Sequence, residues 1–409
     1  MSDSEVFIAW LKEKGGTFHN TTQYVRGRIP PFYHVYFPGI FLVVPSGYAI
    51  LAKERLPADS TIVSCPFDLV ITKSIALKAL SRLLPSENLL NWSVRQCISS
   101  YLCFHQIIDE ASYIPEFAHG PYVNMLPSRE KLRTGLHFTP LELEMFRGTN
   151  MYGAIMDRET EWRREWEACR AVVSNVDTRW GVLFTWELFL ESATHLSSRA
   201  FPSSLLSRNP TLHSSPSTEP VLLPGVDALN HARAHPVSWV VTDAENISLV
   251  VHTSASAGEE LFNNYGAKPN SEFILGYGFS LPNNPDDTIV LKIGDKKWEV
   301  GREAKGADQV WDAFLSFVSQ NPEPDYEDYL EAAAALDDAV QQLMERLPAD
   351  KGPSARLEMR PEVMAMLHDY VEGQRDILRS LVEFCETKKQ LAVELAKAEG
   401  IDLVFDDDD

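Results

Sequence analysis

Two tyrosines, Tyr265 and Tyr277, are the residues whose types and spacing best suit chemistry. They lie in the stretch GEELFNNYGAKPNSEFILGYGF, which covers residues 258–279. Two glycines bracket a short run that ends at Tyr265, and its composition predicts a strand or a tight turn. From Asn270 onward apolar residues recur at three- and four-residue intervals, which predicts one or two helical turns capped by Asn270 and ended by Gly278. The two hydroxyls could converge on one pocket; the alternative is a loop in which both rings only pack.

A second polar cluster, formed by Asp227, Asn230 and His231, precedes Tyr265 at a distance that leaves room for one hairpin. It lies within LLPGVDALNHARAHPVSWVV, residues 222–241. The β-rich pattern that follows predicts a hairpin. Its strands are Val237–Thr242 and Ile247–His252, with Asp243–Asn246 as the turn.

The order D-x-x-N-H, hairpin, G-E-E-L-x-x-x-Y-G-x-K-x-N-x-E and Y-G-F resembles the SET-domain methyltransferases. It resembles in particular the branch of the Rubisco large-subunit methyltransferase and the fungal ribosomal-protein lysine methyltransferases. Two motifs in the right order and at the right distance are much more specific than either alone. The resemblance implies an α+β fold, with a β-rich SET core split by a helical insertion and followed by an all-α substrate-binding domain. It places the catalytic domain at residues 1–297, the insertion at about 75–219 and the helical domain at 298–409.

The resemblance also implies an activity, the S-adenosylmethionine-dependent N-methylation of a lysine in a protein substrate. Tyr265 and Tyr277 would be its catalytic residues. A lysine amine must first lose its proton, which costs about 4–5 kcal/mol at neutral pH. Aromatic walls around the amine disfavour the ammonium and so lower this cost, while the hydroxyls orient the nucleophile.

Cofactor contacts are implied at Asn230, His231 and Tyr265, and at an arginine. Arg199 lies in the sequence S-R-A-F, which matches the S-R-x-F of the family, where the arginine meets the carboxylate of the cofactor. The planar guanidinium suits this role because it can pair with a carboxylate through two hydrogen bonds. The alternative is a helix-end arginine that only faces the helix dipole.

A further cofactor contact is implied in an early loop, at Gly47, Tyr48 and Ala49. The family pattern there is G-x-G-x-x-A, and in this chain Ala49 replaces the second glycine. A methyl group at that position could crowd the cofactor or forbid a positive φ.

Three alternatives to lysine methylation accompany this prediction. The related actin-histidine methyltransferase shares the architecture, but the tyrosine kept at Tyr277 in Y-G-F favours lysine. A catalytically silent SET-like scaffold that binds a partner through the C-terminal helices is favoured by Ala49 and by the long loops. His231 and His235 have the i, i+4 spacing of a helical metal pair, but Pro236 follows directly and no cysteine or suitably placed acidic residue completes a site, so no metal is predicted.

The elements that must position these residues follow from hydrophobic periodicity. A helix with a capping box is predicted over Ser2–Gly16, because Ser2 and Glu5 have the required spacing. The remaining predicted strands are Ile40–Val44, Thr61–Cys65 and Thr288–Ile293. Helical patterns cover Ile75–Glu110, Pro140–Val173, Arg179–Phe201 as one long helix, Tyr326–Leu347 and Arg360–Ala398.

Composition limits the partners of this chain of 409 residues. A formal net charge of −21 would repel a phosphate backbone, which argues against nucleic-acid binding and permits a basic or ribosomal protein as substrate. No apolar run reaches membrane-spanning length, so no membrane partner is predicted. Five cysteines without a C-x-x-C pair indicate reduced thiols in a cytoplasmic or nuclear protein. We expect the protein to be a monomer.

Overall fold

The computed structural model of the chain forms two compact units. It describes residues 1–26, 34–37, 40–43, 48–109, 114–207, 209–211, 215–242, 245–319, 323–349 and 358–403. The first unit comprises Met1–Thr134, Asp157–Ala267 and Gly276–Gly278, and the second comprises Gly135–Met156, Lys268–Leu275 and Phe279–Asp409. The predicted boundary between a catalytic and a substrate-binding domain after residue 297 is a functional one, which these compact units do not test, and it stays a prediction. Within the described ranges, no helix has both the length and the apolar composition needed to cross a bilayer.

The first unit contains two four-stranded sheets. In the first sheet the hairpin Val237–Thr242 and Asn246–Val251 pairs through its second strand with Ser60–Pro66, which in turn pairs with Thr17–Phe18. Both strands of this hairpin were predicted, because alternating β-branched and polar residues suit a half-buried strand. The second sheet has the order Thr22–Arg26, Tyr48–Ala52, Glu260–Asn263 and Asn230–His231.

The second sheet brings the sequence motifs together. Asn230–His231 runs parallel to Glu260–Asn263, with Asn230 opposite Phe262 and His231 opposite Asn263. The polar cluster therefore lies beside the strand that leads directly to Tyr265.

The N-terminal helix follows its local signals closely. It covers Asp3–Glu13, and Ser2 caps it in a capping box with Glu5, as predicted. Phe7 and Leu11 lie on its buried face.

In the first unit, a series of helices separates the early strands from the later strands along the chain. The predicted long helix over Arg179–Phe201 is wrong, because the chain forms Thr178–Leu183 and then Trp186–Arg199. The Thr185 side chain accepts a hydrogen bond from the N–H of Leu188 and so caps the second helix. The pattern over Ile75–Glu110 likewise divides into the helices Lys73–Leu80, Ser86–Leu89 and Val94–Ile107.

The second unit is built on a hairpin and three long helices. The strand Thr288–Ile293 was predicted, and it pairs with Lys296–Gly301, which was not. Three helices share a fully buried apolar core with this hairpin; they are Ala307–Val318, Tyr326–Arg346 and Pro361–Ala398. Leu336 and Leu381 lie in this core and are 0% exposed, as their helical spacing indicates.

Asn270 does not cap a helix. A short helix covers Asn270–Glu272, and Pro269 is its cap residue. The buried Asn270 side chain instead bonds Leu281, donating to its carbonyl (2.9 Å) and accepting from its N–H (2.7 Å). Its polar side chain therefore closes a loop, which is a second common use of asparagine.

The remaining elements are short, apart from one long helix. The helices are Gly120–Val123, Pro140–Glu144 and Asn150–Val176, with a π-helical segment at Phe273–Tyr277. Single 3-10 turns cover Phe67–Leu69, Arg129–Lys131, Gly135–His137, Ser203–Leu206, Val226–Ala228 and Arg302–Ala304. Two further strand pairs are His34–Phe37 with Ile40–Val43, and Phe201–Pro202 with Pro220–Val221.

Candidate functional site

Three rings form a stack in the first unit. The centroid of Tyr265 lies 5.1 Å from that of His231 and 5.2 Å from that of Tyr277, with interplanar angles of 26° and 27°. All three side chains are partly exposed, so the stack has accessible edges. The structure thus brings both predicted tyrosines together.

The Tyr265 hydroxyl is fixed by the turn that carries the polar cluster. It donates a hydrogen bond to the carbonyl of Leu229 at 2.9 Å. Burial raises the pKa of Tyr265 well above its ordinary value, against an opposing effect of Arg199. The phenol therefore remains protonated at neutral pH, and its oxygen lone pairs can still accept a further hydrogen bond.

Besides the ring stack, a hydrogen bond with Tyr265 fixes the His231 ring. Its Nδ1 accepts the backbone N–H of Tyr265 at 3.0 Å, which selects the tautomer with the proton on Nε2. His231 lies in a strand, so it does not form a helical i, i+4 pair with His235, whose Nε2 lies 3.3 Å from the Thr253 hydroxyl. Within the described ranges, no group of three or more His, Cys, Asp or Glu side chains could hold a metal ion.

Asn230 connects three strands through one amide group. Its Nδ2 donates to the carbonyl of Tyr48 at 3.2 Å and to the Glu260 carboxylate at 2.7 Å. Two acceptors on this side assign the amide orientation and direct Oδ1 the other way. Asn230 can therefore offer an acceptor to an N–H group of a ligand. Glu260 was missed by the sequence reasoning, although it lies within the G-E-E-L motif.

The early loop is described only in part. Gly47 lies outside the described residues. Tyr48 and Ala49 belong to the strand Tyr48–Ala52, where Ala49 pairs with Val25 and is 0% exposed. Ala49 is not among the described residues with a positive φ. The alanine therefore fits its backbone without strain, and this removes one of the two objections to it.

Arg199 ends the helix Trp186–Arg199 and faces Asp227. Its Nη1 donates to the backbone carbonyl of Asp227 at 3.0 Å and to Oδ2 of the same residue at 3.1 Å. Burial opposes the charge of Arg199, but the attraction of Asp227 outweighs it, so the arginine pKa is raised. Both hydrogen bonds that Arg199 makes in the described part of the chain come from Nη1. Nε and Nη2, which form one edge of the guanidinium, can thus pair with a ligand carboxylate.

Asp227 has a further donor that the sequence reasoning missed. The hydroxyl of Tyr122 donates to Oδ2 of Asp227 at 2.7 Å, across 105 residues of chain. Tyr122 lies in a segment rich in turn-forming residues, and no local pattern marks it. Only the tertiary structure reveals the contact.

Tyr277 is placed by close backbone packing. It ends the π-helical segment Phe273–Tyr277, and such segments are frequent at functional sites. Gly278 follows with φ +82°, and a Cβ there would lie 2.7 Å from the carbonyl carbon of Arg133. The prediction that Gly278 ends this segment is confirmed, because an L-residue rarely adopts this backbone. Ser197 Oγ also donates to the carbonyl of Gly276 at 3.3 Å.

Each of these groups can bind one part of a ligand that carries a carboxylate and N–H donors. Arg199 has an edge for the carboxylate, and Asn230 Oδ1 can accept from an N–H donor. Tyr265 and Tyr277 provide aromatic faces. This donor set matches an amino-acid-bearing cofactor better than a metal or a phosphate.

Comparisons with known proteins show what the chain is similar to. It is 33% identical over 248 residues to the ribosomal lysine N-methyltransferase set10 of Schizosaccharomyces pombe, across 60% of this chain and 42% of that relative. It is 28% identical over 271 residues to ribosomal lysine N-methyltransferase 1 of Saccharomyces cerevisiae, covering 44% of that protein. An actin-histidine N-methyltransferase of Drosophila melanogaster matches at 22% identity over 309 residues. The chain thus spans less than half the length of these two fungal relatives. No protein-family model matches it.

A solved structure matches over the whole chain. The structure of Rubisco LSMT bound to AdoMet superposes with a TM-score of 0.74 at 16% identity, covering 100% of this chain and 98% of that one. This likeness establishes the fold, and it confirms the predicted α+β class with a C-terminal helical region. The chain therefore has the SET-domain fold, and the relatives that it matches include fungal ribosomal lysine N-methyltransferases.

Proposed function

We propose that this chain is an S-adenosylmethionine-dependent protein-lysine N-methyltransferase that acts on a protein substrate. The observation that carries the proposal is the stack of His231, Tyr265 and Tyr277. The names of the fungal relatives and the AdoMet-bound structural match support the same chemistry.

When bound, S-adenosylmethionine supplies an electrophilic methyl group on a sulfonium. Arg199 would hold the carboxylate of the cofactor through Nε and Nη2, because Nη1 is already directed to Asp227. Asn230 would accept a cofactor N–H through Oδ1, since its Nδ2 is fixed by Tyr48 and Glu260. His231 would line the same region, and Tyr48 and Ala49 would contribute through backbone groups.

The acceptor lysine must arrive as a neutral amine. Tyr265 cannot remove its proton, because the raised pKa keeps the phenol protonated. Solvent therefore takes the proton before the amine enters the site. The aromatic walls of Tyr265 and Tyr277 then favour the neutral amine by excluding water. The Tyr265 oxygen would orient the amine or accept a weak C–H hydrogen bond from the methyl of the bound cofactor, worth about 0.5–1 kcal/mol. Alignment of nucleophile and methyl contributes most of the acceleration.

The partner that we propose is a basic or ribosomal protein. The net charge of −21 favours a cationic substrate, and the fungal relatives are named for ribosomal substrates. We assign catalysis to residues 1–297, with the insertion at about 75–219, and substrate binding to the helices of residues 298–409. We further propose a monomer in the cytoplasm or nucleus that binds neither nucleic acid nor membrane.

Labelling of a cell lysate tests this function. The purified chain is incubated with lysate and isotopically labelled S-adenosylmethionine, and the modified residue is identified by mass spectrometry. Label on lysine side chains supports the proposal. Label on histidine would replace it with histidine methylation. An absence of label, together with no heat of S-adenosylmethionine binding in calorimetry, would leave only the silent scaffold.

A further inference from the structure

Asp227 is the centre of a buried polar network in the first unit. Its side chain is 2% exposed and accepts three hydrogen bonds from three separate segments. Oδ2 accepts from Tyr122 (2.7 Å) and from Arg199 (3.1 Å), and Oδ1 accepts from the N–H of Gly225 (3.2 Å). A buried carboxylate needs such partners, because an unsatisfied charge in a low-dielectric interior is costly.

Tyr122 and Arg199 bind the same oxygen of this carboxylate. The direction in which Oδ2 points is therefore set jointly by the two donors. Arg199 is the more mobile donor, since its side chain has several rotatable bonds and is 22% exposed, whereas Tyr122 is 2% exposed with its ring packed near Phe7. The rigid tyrosine thus restrains the carboxylate, and the carboxylate restrains the guanidinium.

We infer that Tyr122 is a positioning residue that fixes the guanidinium of Arg199 through Asp227. The inference rests on the proposed function, in which the remaining edge of Arg199 binds the cofactor carboxylate. Without the Tyr122 hydroxyl, Oδ2 of Asp227 loses its rigid donor, and among the described residues only the Gly225 N–H still restrains the carboxylate from the protein side. Nη1 then keeps one well-fixed acceptor, the Asp227 backbone carbonyl, so the outer edge of the guanidinium is less well preorganised for a second carboxylate.

The matched pair Tyr122→Phe and Tyr101→Phe tests this inference. Both tyrosines are buried in the same helical region, but the Tyr101 hydroxyl bonds His119 Nδ1 (2.6 Å) rather than a carboxylate. Calorimetry compares two ligands, S-adenosylhomocysteine and 5′-methylthioadenosine, which lacks the carboxylate. We expect Tyr122→Phe to weaken S-adenosylhomocysteine binding about tenfold and methylthioadenosine binding less than twofold. Tyr101→Phe should change both by less than twofold.

Other outcomes separate the possible failures. Equal losses for the two ligands in Tyr122→Phe would show a general structural role, and no loss for either would remove the positioning role. Wild-type protein that binds neither ligand would overturn the proposed function, and the inference with it. If Tyr122→Phe fails to fold, Asp227→Asn should show the same selective loss for the carboxylate-bearing ligand, and a non-selective loss there would contradict the inference.

Discussion

Two arginines, Arg199 in the first unit and Arg302 in the second, use their guanidinium groups differently. Arg199 meets a single carboxylate, Asp227, through Nη1 alone. Arg302 uses all three nitrogens, because Nε donates to the Asn284 carbonyl while Nη1 and Nη2 meet the carboxylates of Asp287, Glu372 and Asp376. An arginine saturated by its own fold stabilises structure, whereas one anchored at a single nitrogen can hold a ligand.

Lysine substitutions at the two positions should separate these roles. Arg302→Lys keeps the charge but loses most of the bonds, and we expect it to lower the free energy of unfolding by about 3 kcal/mol. Arg199→Lys keeps one ion pair with Asp227, so the loss of stability should stay near 1 kcal/mol, while S-adenosylmethionine binding weakens about thirtyfold for lack of a bidentate partner. Urea unfolding and calorimetry measure the two quantities. A reversed pattern would contradict the comparison.

The position of Tyr277 depends on close backbone packing, whereas the position of Arg199 depends on its ion pair with Asp227. Gly278→Ala would force a Cβ to within 2.8 Å of the Thr134 nitrogen at φ +82°. We expect it to destabilise the protein by about 2 kcal/mol and to lower the methylation rate by displacing Tyr277. Gly276→Ala is the matched control, because a Cβ there meets nothing within 4 Å. Similar behaviour of the two variants in thermal unfolding would remove the role given to Gly278.

A smaller effect is expected at the side-chain amide of Asn230. Glu260→Ala removes one acceptor from Asn230 Nδ2, so the amide is less well oriented and S-adenosylmethionine binding should weaken about fivefold. Glu260→Gln keeps an acceptor oxygen and should lie close to wild type. Titration calorimetry on both variants checks this, and equal losses would mean that the charge of Glu260 matters rather than its orientation of Asn230.

A further expected effect concerns the pH dependence of stability in the second unit. Burial raises the pKa of Asp369 from 3.8 to about 6, although its bond with Ser280 Oγ (2.6 Å) opposes the rise. Because the folded-state pKa is raised, its contribution to stability is complete below about pH 4 and is lost as pH rises through 6. Asp369→Asn does not titrate, so its free energy of unfolding should fall by about 2 kcal/mol less than that of wild type between pH 4 and 6. Identical pH profiles would contradict this.

Local signals predicted much of the framework. The capping box at Ser2, the alternation of the hairpin Val237–Thr242 with Asn246–Val251, and Gly278 after the π-helical segment all depend on neighbours in sequence. The break at Thr185 was missed because a capping threonine inside a continuous apolar pattern gives little warning. Asn270 was misassigned because caps and loop closures favour the same residue type.

The site was predicted through its motifs and not through its supporting contacts. Tyr265, Tyr277, Asn230 and His231 came from motifs that resemble those of the SET-domain methyltransferases, and the structure places them together. Tyr122 could not be found in this way, because its bond to Asp227 spans 105 residues and depends on how the helical insertion folds back. Polar partners of this kind are properties of the tertiary structure.

The most direct test of the central claim is the single-turnover rate of methyl transfer by Tyr265→Phe. Phenylalanine keeps the ring between His231 and Tyr277 but removes the hydroxyl that bonds the Leu229 carbonyl. We expect the rate to fall at least about tenfold, with the Kd of S-adenosylmethionine within about threefold of wild type, because alignment of the amine is lost while the cofactor is still held. An unchanged rate would contradict the assignment of Tyr265 as the catalytic tyrosine.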